Sequence, residues 1–330
     1  MQRPAWLPDP FILTLVALIV LASFWPVRGA AAQGAALLTN AAIALLFFLH
    51  GAKLSLAAVL QGMAQWRLQG FVLAVGFVAF PLLGWAAQPL LVPLLGADLA
   101  RGVLYLCVLP STVQSAIALT SMARGNVSAA VCAAAVSSLV GVFATPALVL
   151  LLMGSAVQGL DFGQALARVA LQLLLPFVLG QWARRWLGRW VQEHRALLRH
   201  VDQSSIYLVI YTAFSKAVVD GLWHQLPAQR LALLLLCCLA LLALVLWGCH
   251  LATLRLGFAP AERITALFAA SQKSLATGVP IAQVLFAGGT MGALLLPLMV
   301  YHQVQLMACA ALARRFQARP MAATEPGGTP

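Results

Sequence analysis

The sequence predicts an all-α polytopic membrane protein: ten transmembrane helices arranged as two inverted five-helix repeats. Three observations carry that expectation. The 330 residues are 62% hydrophobic and only 8% charged, against about 25% charged in a typical soluble domain. Apolar runs of about 17–25 residues recur from Phe11 to Phe316, each long enough to cross a hydrocarbon core of about 30 Å. The basic residues fall between those runs and gather on one side of the resulting weave. A soluble fold of this size cannot hide so much apolar surface, so the excess faces lipid.

The runs are 11–27, 35–51, 68–88, 99–122, 127–153, 163–182, 204–222, 230–252, 262–286 and 290–313. Helix is the default state for each, because a spanning segment in lipid must satisfy its own backbone groups. The alternating pattern of a membrane β-barrel is absent. A single basic residue, Arg3, precedes the first run, which reads as a retained span rather than a cleaved signal peptide. The expected organisation is a cytoplasmic N-terminus (1–10), a first repeat (11–153), a link (154–162), an inverted second repeat (163–316) and a disordered cytoplasmic tail (317–330). Five spans begin and end on opposite sides, so a second copy must run inverted.

Charge orients the weave. One side collects Arg3, Lys53, Arg67, Arg124, Arg184, Arg185, Arg189, Arg195, Arg199, Arg255, Arg263, Arg314, Arg315 and Arg319; the other collects Arg28, Arg101, Arg168, Lys216 and Arg230. Fourteen against five places both termini in the cytoplasm. The bias to Arg over Lys, seventeen to three, suits a GC-rich bacterial genome and hence a bacterial inner membrane. Between the sixth and seventh spans, Trp182, Trp186 and Trp190 share one helical face with Arg185 and Arg189 interleaved. That pattern fits an interfacial helix with indoles at headgroup depth.

Several function classes fall away. The net charge of +12 is spread between spans, as orientation requires, so nucleic acid is not the expected partner; the bilayer and a small solute are. Six cysteines show no CxxC pair and no zinc spacing. No HExxH, GxSxG or GxxxxGK[ST] occurs, and no Asp or Glu lies near the middle of a span. The chain is not expected to be an enzyme, to carry a cofactor, or to run a carboxylate proton relay. Gly288 and Gly292 form a GxxxG spacing suited to close helix packing.

Two polar interruptions stand out. Pro110 is followed by Ser111, Thr112, Val113, Gln114 and Ser115 in the fourth run. Ser271, Gln272, Lys273 and Ser274 interrupt the ninth, with Gly278 and Pro280 beyond. Aligning Gln114 with Gln272 puts one break in the fourth member of each half. Interrupted helices expose N–H and C=O groups that survive in a membrane only where they line a polar cavity, and matched interruptions point to a transport site. Lys273 costs about 2.5–3.5 kcal/mol to insert at a helix centre. It reads either as a cation of the site or as an ammonium capping a helix end. His302 and Gln305 share a face of the tenth run. Ser137 and Ser138 face the break at Pro110 or bond their own helix.

These stretches resemble a known family. Phe48 to Ser55, Leu109 to Ser115, Ala123 to Val127, Gln272 to Pro280 and His302 to Met307 are similar to the bile acid:sodium symporter superfamily. The branch is the one that holds solute carrier family 10 member 7 and its bacterial relatives. The resemblance implies a secondary transporter with a panel domain (spans 1, 2, 6, 7) and a core domain (spans 3–5, 8–10), the broken fourth and ninth helices crossing in the core. In sodium-coupled relatives the ion is held by a Ser-Asn pair, fifth-helix hydroxyls, a Glu and a Gln-Asn-Ser run. Here those positions fall on Ser115-Ala116, Ala130, Ala134, Phe268 and Gln272-Lys273-Ser274. Alanine and phenylalanine offer no oxygen, so the sodium site reads as degraded, with Lys273 in its place and coupling to Na⁺ or H⁺ left open. The remaining alternatives are an uncoupled facilitator and a non-transporting regulatory protein built on the same fold.

Overall fold

A computed structural model describes residues 10–53, 65–154, 167, 170–221, 227–286 and 291–318. Among these residues every regular element is helical. The expected N-terminal segment up to Asp9, most of the link 154–162, Gly288, Arg168 and the tail from Arg319 lie outside them.

The helices run α1 (Pro10–Phe24), α2 (Gly29–Lys53), α3 (Trp66–Ala86), α4 (Gln88–Leu95), α5 (Ala97–Cys107), α6 (Gln114–Met122), α7 (Val127–Met153), α8 (Leu175–Glu193), α9 (Arg195–Val219), α10 (Ala228–Arg255), α11 (Pro260–Ser271), α12 (Leu275–Leu285) and α13 (Met291–Gln317). Five of these, α2, α3, α7, α10 and α13, are long and apolar enough to cross a membrane; α1 is a shorter apolar helix. The expected run 99–122 is divided between α5 and α6, and the run 262–286 between α11 and α12. Neither half is long enough alone, because each stops at its polar interruption.

Local sequence explains several ends. Asn126 caps α7, its Oδ1 accepting from Ala129 N–H at 3.0 Å. Ser274 caps α12, its Oγ accepting from Thr277 N–H at 3.2 Å. Inside α3 one turn, Val75–Ala79, widens to π geometry. A second π turn, Ala170–Leu174, leads into α8.

The helices pack in two groups. In one, α2 lies along α8 and α9, and α1 along α9. In the other, α11 packs on α3, α6, α7 and α10, while α13 packs on α5, α6, α10 and α12. The α2–α8 seam is tight. A Cβ added at Gly180 would sit 1.9 Å from Phe48 O, and one at Gly51 would sit 2.0 Å from Phe177 O. Two glycines facing each other's backbone let these helices approach closely. Near the same end, Lys53 Nζ binds Asp202 Oδ2 at 2.5 Å, tying α2 to α9. The groups meet where α9 packs on α12 and α13. Leu13, Leu37, Leu82, Leu151 and Leu236 are among many large apolar side chains left exposed outside, the surface a bilayer would cover.

Candidate functional site

The two interruptions meet. Between α5 and α6 the chain leaves helix from Val108 to Val113; between α11 and α12 it does so from Gln272 to Ser274. Ser274 N–H donates to Pro110 C=O at 2.9 Å, joining them directly. Tyr105 Oη adds a 2.5 Å bond to Gly278 C=O. Gly141 permits the approach of α7, since a Cβ there would lie 2.5 Å from Pro110 Cβ.

A buried interruption must find partners for its backbone groups, and four successive carbonyls can be followed. Val108 C=O accepts from Thr145 Oγ1 at 2.9 Å. Pro110 C=O accepts from Ser274. The other two, Cys107 at the end of α5 and Leu109 beyond it, accept from Lys273 Nζ at 3.0 and 2.8 Å. The third proton of the ammonium goes to Gly76 C=O at 2.9 Å. Gly76 lies in the π turn of α3, where the i→i+5 pattern frees a carbonyl that an α-helix would use. Phe80 closes the site, its ring centroid 4.0 Å from Nζ. Lys273 is 1% exposed. Its three N–H donors meet three carbonyls, two of them at the negative end of α5.

The Lys273 peptide is held as firmly as its side chain. Its N–H donates to Gln305 Oε1 at 2.8 Å, and its C=O accepts from Gln305 Nε2 at 2.9 Å. One amide side chain thus pairs both backbone groups, as a neighbouring strand would. His302 Nδ1 lies 2.9 Å from Gln305 Nε2 and 3.4 Å from Lys273 O. Ser271 C=O accepts from Tyr301 Oη at 2.9 Å.

A second polar group forms beside it. Gln272 Oε1 accepts from Thr112 Oγ1 and Ser115 Oγ, each at 2.5 Å. Ser111 N–H donates to Ser137 Oγ at 3.0 Å, so Ser137 faces the interruption. Ser138, one position on, lines a cavity of about 30 Å³ with Phe47, His50, Val142, Phe177 and Thr277. That volume admits about one water and lies between the two helix groups. Gln114 stands apart: it is exposed at the start of α6. The helix starts pair Gln114 with Leu275, three residues off the alignment of Gln114 with Gln272.

The sodium ligands of the resembling family do not fit here. Ala116, Ala130, Ala134 and Phe268 are fully buried and apolar. The hydroxyls of Thr112 and Ser115 are directed to Gln272, and an ammonium occupies three of the free carbonyls. Residues missed from sequence are Gly76, Phe80, Tyr105, Cys107, Thr145 and Tyr301. A tyrosine three positions before a break, or on the face of His302 and Gln305, was a usable signal. Gly76 carries none, because its part is played by a carbonyl.

The chain is similar to known proteins along most of its length. The model of the SBF-like CPA transporter family matches residues 9–318. A Pseudomonas aeruginosa protein, "Uncharacterized protein PA2026", is 53% identical over 97% of this chain and 96% of its own. "Putative symporter YfeH" of Escherichia coli is 49% identical over 94% of this chain and 93% of its own. "Sodium/bile acid cotransporter 7" of Rattus norvegicus is 27% identical over 81% of this chain and 79% of its own. These likenesses run the length of a multi-pass membrane chain, which belongs to the SBF-like CPA transporter family.

Proposed function

We propose that the protein is a secondary transporter of a small organic anion, working by alternating access about the crossing of α5–α6 and α11–α12, and that sodium does not drive it. In this reading the helices make ten spans in two inverted five-span repeats. The group of α1, α2, α8 and α9 is the panel, and the remainder is the core. Both termini lie in the cytoplasm, beneath a bacterial inner membrane. Family membership and the symporter and cotransporter names of the relatives support transport. Two helix N-termini, at Gln114 and Leu275, beside a buried ammonium favour an anionic solute.

The observation that carries the coupling claim is the Lys273 ammonium on Gly76, Cys107 and Leu109 carbonyls. A tethered cation supplies the charge these oxygens require and cannot be carried across. The test is uptake of labelled steroid-like and dicarboxylate anions into proteoliposomes under a sodium gradient, a proton gradient or neither. We expect uptake that is indifferent to sodium and altered in Lys273→Asn. Uptake that follows the sodium gradient would overturn the coupling claim. Correctly folded protein that moves none of these anions would overturn transport of this class and favour the regulatory alternative.

A further inference from the structure

α8 turns a stripe of large apolar side chains away from the rest of the protein. Leu175, Val178, Leu179, Trp182, Trp186 and Trp190 are all exposed. Their spacing of three and four puts them on one face, while Phe177, Gly180 and Val191 are buried on the other. In a membrane-spanning chain such a face meets lipid. The aliphatic half comes first, and the indoles take over where the arginines begin. Trp182 to Trp190 covers about 12 Å at about 1.5 Å per residue, enough to cross a headgroup layer of about 5–8 Å per leaflet.

Arg185 sits among these indoles. Its Cζ lies 4.3 Å from the Trp182 ring centroid and 3.8 Å from that of Trp186. The indoles themselves stand edge to face, 4.7 Å apart. The faces of the guanidinium are therefore engaged, but its edge carries N–H donors that no residue among those described accepts. Its neighbours differ. Arg184 donates to Lys53 C=O at 3.5 Å, and Arg189 pairs with Glu193, the single acidic residue of α8, at 2.9 Å. A planar cation held by its faces with its edge open matches an oxyanion fork. The aliphatic stripe leading to it makes a lipid the source of that oxyanion.

We propose that Arg185, clamped by Trp182 and Trp186, binds the phosphodiester of an anionic phospholipid at the membrane surface. The indoles pack on the glycerol and upper acyl region, and the guanidinium edge takes the phosphate. Arg184 adds positive field, while the charge of Arg189 is offset by Glu193. The proposal rests on the membrane placement of α8 and is independent of what the protein carries.

The test is quenching of tryptophan fluorescence by brominated phosphatidylglycerol, titrated into full-length protein in phosphatidylcholine nanodiscs, with brominated phosphatidylcholine as reference. Phosphatidylglycerol should quench at a lower mole fraction. Arg185→Gln should raise the half-saturating fraction about tenfold, the scale of one charged hydrogen bond. Arg185→Lys, which keeps charge but not the planar fork, should fall between, and Arg189→Gln should shift it less than either. An unchanged midpoint in Arg185→Gln, with unfolding temperature equal to the parent in phosphatidylcholine, would overturn the proposal. So would equal quenching by both lipids, or competition by millimolar inorganic phosphate, which would mark a soluble-anion site.

Discussion

Replacing Lys273 by methionine keeps an unbranched side chain, one heavy atom shorter, and removes its charge. The buried carbonyls of Cys107 and Leu109 and the part-buried carbonyl of Gly76 then lose their donors, at about 1–3 kcal/mol each, and the contact with Phe80 loses roughly 2 kcal/mol. Against this stands relief of about 2.5–3.5 kcal/mol, the insertion cost of the ammonium. The net loss is on the order of 5 kcal/mol. At about 2 °C per kcal/mol for a chain of this size, the unfolding temperature should fall by roughly 10 °C. The assay is thermal unfolding of purified protein in Na⁺ and in K⁺ at matched ionic strength. The parent should unfold at the same temperature in both, because its carbonyls are already served. Lys273→Asn should lose stability in K⁺ and regain part of it in Na⁺, since the vacated carbonyls and the new amide oxygen then face an ion of suitable size. A sodium-specific rise in the parent would refute the reasoning, and so would a methionine variant as stable as the parent.

Gly180→Ala should destabilise by about 1–3 kcal/mol through overpacking, because the new methyl meets Phe48 O at 1.9 Å. Gly188→Ala, whose nearest neighbour is Arg184 Cγ at 3.4 Å, should be neutral or stabilising in the same unfolding measurement. Gln305→Ala leaves the Lys273 N–H and C=O without their amide partner. It should cost about 2–5 kcal/mol and depress solute uptake. Uptake and unfolding temperature equal to the parent would show that the Lys273 peptide needs no clamp.

Much of the site was readable from residue types at cost in a membrane. Pro110 with three hydroxyl residues after it, and Lys273 among serines, mark the interruptions because nothing else tolerates them at that depth. Gln305 and His302 were legible as neighbours on one face. The acceptors of Lys273 were not. Cys107 and Leu109 take part through carbonyls freed by a helix end, and Gly76 through one freed by a π turn; no side chain announces either. Gln114 reads as polar and central, yet it is exposed at the start of α6, and the next residue, Ser115, is the one that bonds Gln272. Ser137 and Ser138 differ in role for a similar reason: one position along a helix is about 100° of rotation. The grouping of α1 and α2 with α8 and α9 rests on contacts far apart in sequence, which periodicity does not register.

Interrupting a helix inside a membrane creates an electrostatic demand before it creates a function. Carbonyls at the end of α5 and in the π turn of α3 point into one small volume, and lipid cannot satisfy them. Donors must therefore reach that volume, and a single cation can serve all three oxygens at once, but the demand does not say which cation. A free ion would enter and leave with each conformational cycle, so its gradient could do work. An ammonium on a side chain meets the same oxygens and stays. In the proposed reading, the lack of side-chain oxygen at Ala116, Ala130, Ala134 and Phe268 and the presence of Lys273 are one feature seen at five positions. Once the tethered cation is in place, ligands for a mobile one have no charge left to compensate, and apolar packing of those positions is the more stable choice. In the proposed reading, the crossing keeps its geometry and its attraction for an anion without the ion to which that geometry would otherwise couple.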